Sequence, residues 1–82
     1  MKATSQRGLA VVTGAAGGLG SAFAHRLAEQ GYRLLLVDRR PAPLSELCEA
    51  IAELHGDCAE AYVADLCDRE EVQRLAARLQ QT

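Results

Sequence analysis

Two hydrophobic rhythms alternate along this chain. Leu9–Thr13 is apolar up to its last residue, as expected of a parallel strand buried on both faces. From Leu19 the rhythm lengthens. Leu19, Ala22, Phe23, Leu27 and Ala28 fall on one helical face, with Arg26, Glu29 and Gln30 elsewhere. Gly31 sits where a glycine closes a helix. Tyr32–Val37 predicts a second apolar strand, ending at Asp38-Arg39-Arg40. Pro41 and Pro43 then break regular structure and open the next helix, with Pro43 in its first turn. Leu44, Leu47, Ile51 and Leu54 repeat at 3-4-3 spacing, with Glu46, Glu49 and Glu53 as the solvated side and Gly56 as the stop. His55 suits the negative end of that helix, and His25 reads as an edge residue of the preceding one. Cys58–Ala64 predicts a third strand, in which Ala59, Ala61 and Val63 alternate with Glu60 and Tyr62. Asp68 followed by Glu71 has the spacing of a capping box with Asp as the cap. The helix it opens carries Val72, Leu75, Ala76 and Leu79 on one face, and Glu70 and Arg74 as an i,i+4 pair.

The order is strand then helix, three times, which predicts an α/β fold with parallel strands. Right-handed crossovers made twice in the same direction place the strands in the order 3-2-1, with the first two helices on one face. The third helix is then expected on the opposite face. Strand 1 is left as an open edge, able to pair with another chain or a second copy. Residues 1–7 are polar and read as a flexible leader, so the domain is expected over 8–82.

Composition narrows the function classes. The chain has 82 residues, enough for one small domain. At that size folding buries only about 60% of the unfolded surface. The net charge of −2, with no stripe of Lys or Arg, argues against a nucleic-acid partner. Apolar runs such as Leu34–Val37 fall far short of a membrane span, and the polar first residues have no signal-peptide core, so no membrane partner and a cytoplasmic location are expected. Cys48, Cys58 and Cys67 are odd in number and include no Cys-x-x-Cys, so neither a disulfide framework nor a metal site is expected. They read as small, mostly buried fillers.

The candidate chemistry lies between the first strand and the first helix, in Thr13-Gly14-Ala15-Ala16-Gly17-Gly18-Leu19-Gly20. A pyrophosphate needs several donors at short range, and a helix N-terminus supplies unpaired N–H groups and partial positive charge. Side chains would hold the phosphate away, and glycines remove that obstacle. Gly14 ends the strand, Gly18 allows close approach, and Gly20 lets helix and sheet pack closely. Ala15 and Ala16 keep the turn open. Placed between a strand and a helix, the motif predicts a dinucleotide site.

Two carboxylates extend it. Asp38 ends strand 2, 24 positions after Gly14, near the interval of ~20 at which an acidic residue binds the adenosine ribose. It can accept hydrogen bonds from both ribose hydroxyls and would repel a 2′-phosphate. At about 4 Å and an effective dielectric of about 20 that repulsion is on the order of 4 kcal/mol. NAD is therefore expected over NADP. Arg39 and Arg40 soften the preference, since an arginine there can meet a 2′-phosphate; Arg40 reads as solvated charge. At the end of strand 3, Asp65 can accept from the adenine amine, and Leu66 can cover the ring.

Together Thr-Gly-x-x-x-Gly-x-Gly at 13–20, Asp38 and Asp65-Leu66 resemble the short-chain dehydrogenase/reductase family, over residues 8–82. The resemblance implies a partial Rossmann, doubly wound fold. It also implies that Gly14, Ala16, Gly17, Gly18, Leu19 and Gly20 hold the cofactor's phosphates, that Asp38 and Arg39 meet the ribose, and that Asp65 and Leu66 meet the adenine. The family also carries Asn-Asn-Ala-Gly, a catalytic Ser and a Tyr-x-x-x-Lys pair. None occurs here: the only lysine is Lys2, Tyr32 is followed four places on by Leu36, and Tyr62 by Leu66. Ser21 and Ser45 lie in the first and second helix regions and do not inherit the role. The expectation is an N-terminal portion of such an enzyme, binding NAD(P) without catalytic residues of its own. The parent would move hydride between the cofactor and a carbonyl or alcohol. The alternatives are a non-catalytic nucleotide-binding or strand-pairing module, and an unrelated α/β binder of nucleoside-diphosphate sugars or methyl donors.

Overall fold

The computed structural model describes residues 8–81. The leader expected at 1–7 lies outside these residues. The elements run β1 (Leu9–Thr13), α1 (Gly18–Glu29), β2 (Arg33–Asp38), α2 (Pro41–His55), β3 (Ala59–Val63) and α3 (Arg69–Gln80). The three strands form one parallel sheet in the order β1-β2-β3, with Val12 opposite Leu36 and Leu36 opposite Ala61. This is the predicted 3-2-1 order and the partial Rossmann arrangement, with the most apolar strand in the middle.

The pleat of β2 divides the core. Leu34 and Leu36 point to one face and pack with Val12, Ala24, Ala28, Leu44, Leu47 and Ile51, so α1 and α2 cover that side. Leu35 and Val37 point the other way, to Ala64 and Leu75, so α3 covers the second face as expected. β1 remains an edge, and Val11, in register with Leu35, is 39% exposed.

The helix faces differ from their sequence patterns at three places. On α1 the buried residues are Ala24 and Ala28, whereas Leu19 and Phe23 stand out in solvent. The cause is backbone proximity at Gly20, where an added Cβ would meet the Gly14 carbonyl oxygen at 2.2 Å. A helix held that close presents small residues at i and i+4; Leu19 and Phe23 turn outward, and Leu27 packs at the rim of the core. On α2 Leu44, Leu47 and Ile51 are buried but Leu54 is exposed. At about 100° per residue Leu54 drifts off the seam that His55 then occupies, its ring 5.6 Å from that of His25 on α1. At α3, Asp68 caps the helix as expected, accepting from the N–H of Glu70 (2.9 Å) and of Glu71 (3.4 Å). The Glu71 carboxylate does not return to Asp68; it accepts from the Asp65 N–H at 2.7 Å.

The ion pairs among the described residues are Asp38–Arg40 and Glu60–Arg78, and Glu70–Arg74 is not one of them. Arg78 also lies over the Tyr62 ring at 5.7 Å, tying α3 to β3. Cys48 and Cys58 are half-buried, and burial pushes both thiols up from their ordinary value; Cys67 is exposed, against the expectation of a buried filler. No helix among the described residues is long and apolar enough to cross a membrane.

Candidate functional site

The glycine turn is held by its own backbone. Gly14 leaves β1 with φ +62°, a left-handed conformation that costs glycine little. The chain then doubles back. The Gly17 N–H donates to the Gly14 carbonyl at 3.1 Å, and the Ala15 N–H to the Val37 carbonyl at 3.0 Å. α1 begins at Gly18, with Gly17 as an N-cap that has no side chain to offer. Its first turn holds no acidic residue. The first N–H in the helix with a backbone acceptor is that of Ser21, which donates to the Gly17 carbonyl at 2.8 Å. The N–H groups of Gly18, Leu19 and Gly20 have no partner among the described residues, as geometry requires at a helix start. An added Cβ at Gly18 meets nothing within 4 Å, so the approach to these donors is open.

Asp38 connects this turn to the end of the sheet. It is the last residue of β2 and only 6% exposed. Its Oδ2 accepts from the Ala16 N–H at 3.0 Å, and its Oδ1 from the Arg40 N–H at 3.0 Å and the Arg40 Nε at 3.1 Å. The Arg40 side-chain bond draws the Asp38 pKa down from 3.8 to about 2; burial opposes the shift, and the N–H groups of Arg40 and Ala16 assist it. The carboxylate is therefore ionised at neutral pH.

The sign of the resulting pH dependence follows from linkage. A folded-state pKa below the unfolded one contributes stability that is present above about pH 4 and is lost as pH falls towards 2. Arg40 is half exposed, so solvent screening trims the contribution to on the order of 1–2 kcal/mol. Urea denaturation between pH 5 and 2 should show a smaller acid loss in Asp38→Asn than in the wild type. Equal losses would mean that Asp38 is not the titrating group.

Below the turn lies a cleft of about 290 Å³ at the carboxyl ends of the strands, lined among others by Gly14, Asp38, Arg39, Arg40, Asp65 and Leu66. Asp65 shapes its far wall: its Oδ1 accepts from the Cys67 N–H at 2.9 Å, and its own N–H is held by Glu71. Leu66 is 41% exposed and provides an apolar surface there. Gly14, Asp38, Arg39, Asp65 and Leu66 line this one cleft. Ala16, Gly17, Gly18, Leu19 and Gly20 form the adjoining helix start, joined to it through the Ala16–Asp38 bond. Arg40, read from the sequence as solvated charge, is half exposed and is also the partner of Asp38. The Asp-x-Arg spacing was the signal for it: two residues suffice for a guanidinium to fold back on a carboxylate at the end of a strand. A larger hollow of about 410 Å³ lies at the opposite end, beside Arg33, Asp57 and Arg78. Ligands of open α/β sheets bind at the carboxyl ends, which favours the smaller cleft.

Comparison with known proteins agrees with this geometry. The family profile described as short chain dehydrogenase matches residues 8–82. The chain is 45% identical over 71 residues to 1-deoxy-11-beta-hydroxypentalenate dehydrogenase of Streptomyces avermitilis, covering 87% of this chain and 26% of that protein. Among solved structures it is similar to a short-chain dehydrogenase from Sphingobium yanoikuyae in complex with NADPH. The TM-score is 0.84 at 31% identity, over 92% of this chain and 29% of the other. A short chain dehydrogenase/reductase from Burkholderia phymatum in complex with NAD superposes with a TM-score of 0.77 at 30% identity, over 85% and 25% of the two chains. The chain therefore spans about a quarter of the length of these relatives.

Proposed function

The chain belongs to the short-chain dehydrogenase family, and on that premise we propose that it supplies the adenosine and pyrophosphate half of a nicotinamide-dinucleotide site. The observation that carries the reading is the junction of three N–H groups without a partner among the described residues, Gly18 to Gly20, with the Asp38 cleft through a single carboxylate bond. The donors at the start of α1 suit a pyrophosphate. Asp38 suits the ribose diol, and Asp65 with Leu66 suits the adenine edge and face. The open space over Gly18 fits the close approach that a phosphate requires.

The nicotinamide of such a cofactor would give or accept hydride. The residues of this chain would hold the adenosine and pyrophosphate portion of the same cofactor. In the parent enzyme the substrate would be a carbonyl or alcohol, and the proton-transferring groups would be a Ser and a Tyr-x-x-x-Lys pair, which this sequence does not contain. Binding without turnover is therefore the function proposed for these 82 residues. Asp38 favours NAD over NADP, because a 2′-phosphate would come to rest beside an ionised carboxylate.

Titration of the chain with NAD and NADP, followed by backbone amide resonances, tests this. Saturable shifts are expected at Gly18, Leu19, Gly20 and Asp65, with dissociation constants on the order of millimolar. NADP should bind about tenfold more weakly or worse. Unmoved resonances at these amides with millimolar ligand would overturn the proposal.

A further inference from the structure

The ribose subsite is closed by a residue of the chain itself. The Asp38 side chain is only 5% exposed, and the Arg40 side chain bonded to it is 52% exposed. A carboxylate offers about four lone-pair positions. Three are taken: one on Oδ2 by the Ala16 N–H, and two on Oδ1 by the N–H and the Nε of Arg40. One position remains for a diol that needs two. Of the three donors, two are backbone groups set by the glycine turn and by the start of α2. The third sits on a flexible side chain that lines the same cleft.

We propose that Arg40 is a specificity-determining residue that competes with the ribose diol for Asp38, so that cofactor entry requires its Nε to leave Oδ1. The proposal rests on the assignment of Asp38 to the ribose. The side chain swings out into solvent, where a guanidinium is readily hydrated, while the Ala16 and Arg40 N–H bonds keep the carboxylate aimed into the cleft. Affinity for the diol is thereby reduced by whatever the exposed ion pair is worth. A ligand without the diol gains nothing from displacing Arg40.

Binding of ADP and of 2′,3′-dideoxy-ADP to the wild type, Arg40→Ala and Arg40→Met tests this directly; Arg40→Met retains the apolar stem. ADP is expected to bind about two- to fivefold more tightly to both variants, the affinity equivalent of an exposed ion pair. The dideoxy ligand is expected to bind all three alike. Loss of the partner should also move the Asp38 titration up from about 2, a check that the carboxylate has been freed. A wild-type preference for ADP over the dideoxy ligand that neither variant changes would overturn the competition alone. Equal binding of the two ligands to the wild type and to both variants alike would overturn the assignment of Asp38 to the ribose, and the competition with it.

Discussion

Replacing Gly20 with alanine is expected to destabilise the chain by about 3 kcal/mol or more, enough to leave a marginal small domain largely unfolded. The new Cβ would stand 2.2 Å from the Gly14 carbonyl oxygen, 2.9 Å from its carbon and 3.0 Å from the Ala15 Cα. All three atoms are backbone, so no side chain can rotate to make room. Relief requires α1 to back away from β1, and that withdraws Ala24 and Ala28 from the core shared with Leu34 and Leu36. Gly18→Ala is the control, because its Cβ meets nothing within 4 Å and its φ is ordinary. It should leave the urea midpoint unchanged or slightly raised, since alanine suits a helix better than glycine. It should still weaken dinucleotide binding, because the methyl occupies the approach to the N–H donors. Equal stability of the two variants would show that Gly20 is not a close-packing position.

The contrast between these glycines marks how far the sequence could be read. The strands were legible because they are short apolar runs in a parallel sheet, and their order followed from crossover handedness. The turn was legible because glycines at that spacing have few other uses. The burial on α1 was not. Leu19 and Phe23 are large apolar side chains, and a hydrophobic pattern assigns such residues to the core. The close approach at Gly20 reverses the assignment, leaving the space beneath the helix to Ala24 and Ala28. Leu54 failed for a smaller reason, angular drift in the last turn of α2. The hold of Asp38 on the glycine turn was hidden as well. Spacing placed it at the ribose, but its bond to the Ala16 N–H depends on the path of the turn 22 residues earlier, which no local pattern encodes.

That bond, beside the proposed ribose role, makes Asp38→Ala the most informative change in the cleft. Two backbone donors, the N–H groups of Ala16 and Arg40, lose their acceptor. Each sits in a partly buried setting, where an unmet donor costs about 1–3 kcal/mol. The ion pair adds less, because Arg40 is half exposed. The sum expected is about 2–6 kcal/mol, read as a lower urea midpoint at pH 7. Asp38→Asn should recover part of it, because its carbonyl oxygen can accept from one donor while its amide opposes the other. Ligand binding should separate the two duties. If Asp38 both clamps the turn and holds the ribose, Asp38→Asn loses the preference for ADP over its dideoxy analogue and also shifts the amide resonances of Ala16 and Gly17 without ligand. A carboxylate that served the ribose alone would leave those resonances in place. One that served the turn alone would shift them and leave the diol preference intact. The resonance shifts and the diol preference therefore separate two duties of one side chain: the shifts follow the Oδ2 bond to the Ala16 N–H, and the preference follows the Oδ1 position for which Arg40 is proposed to compete with the ribose.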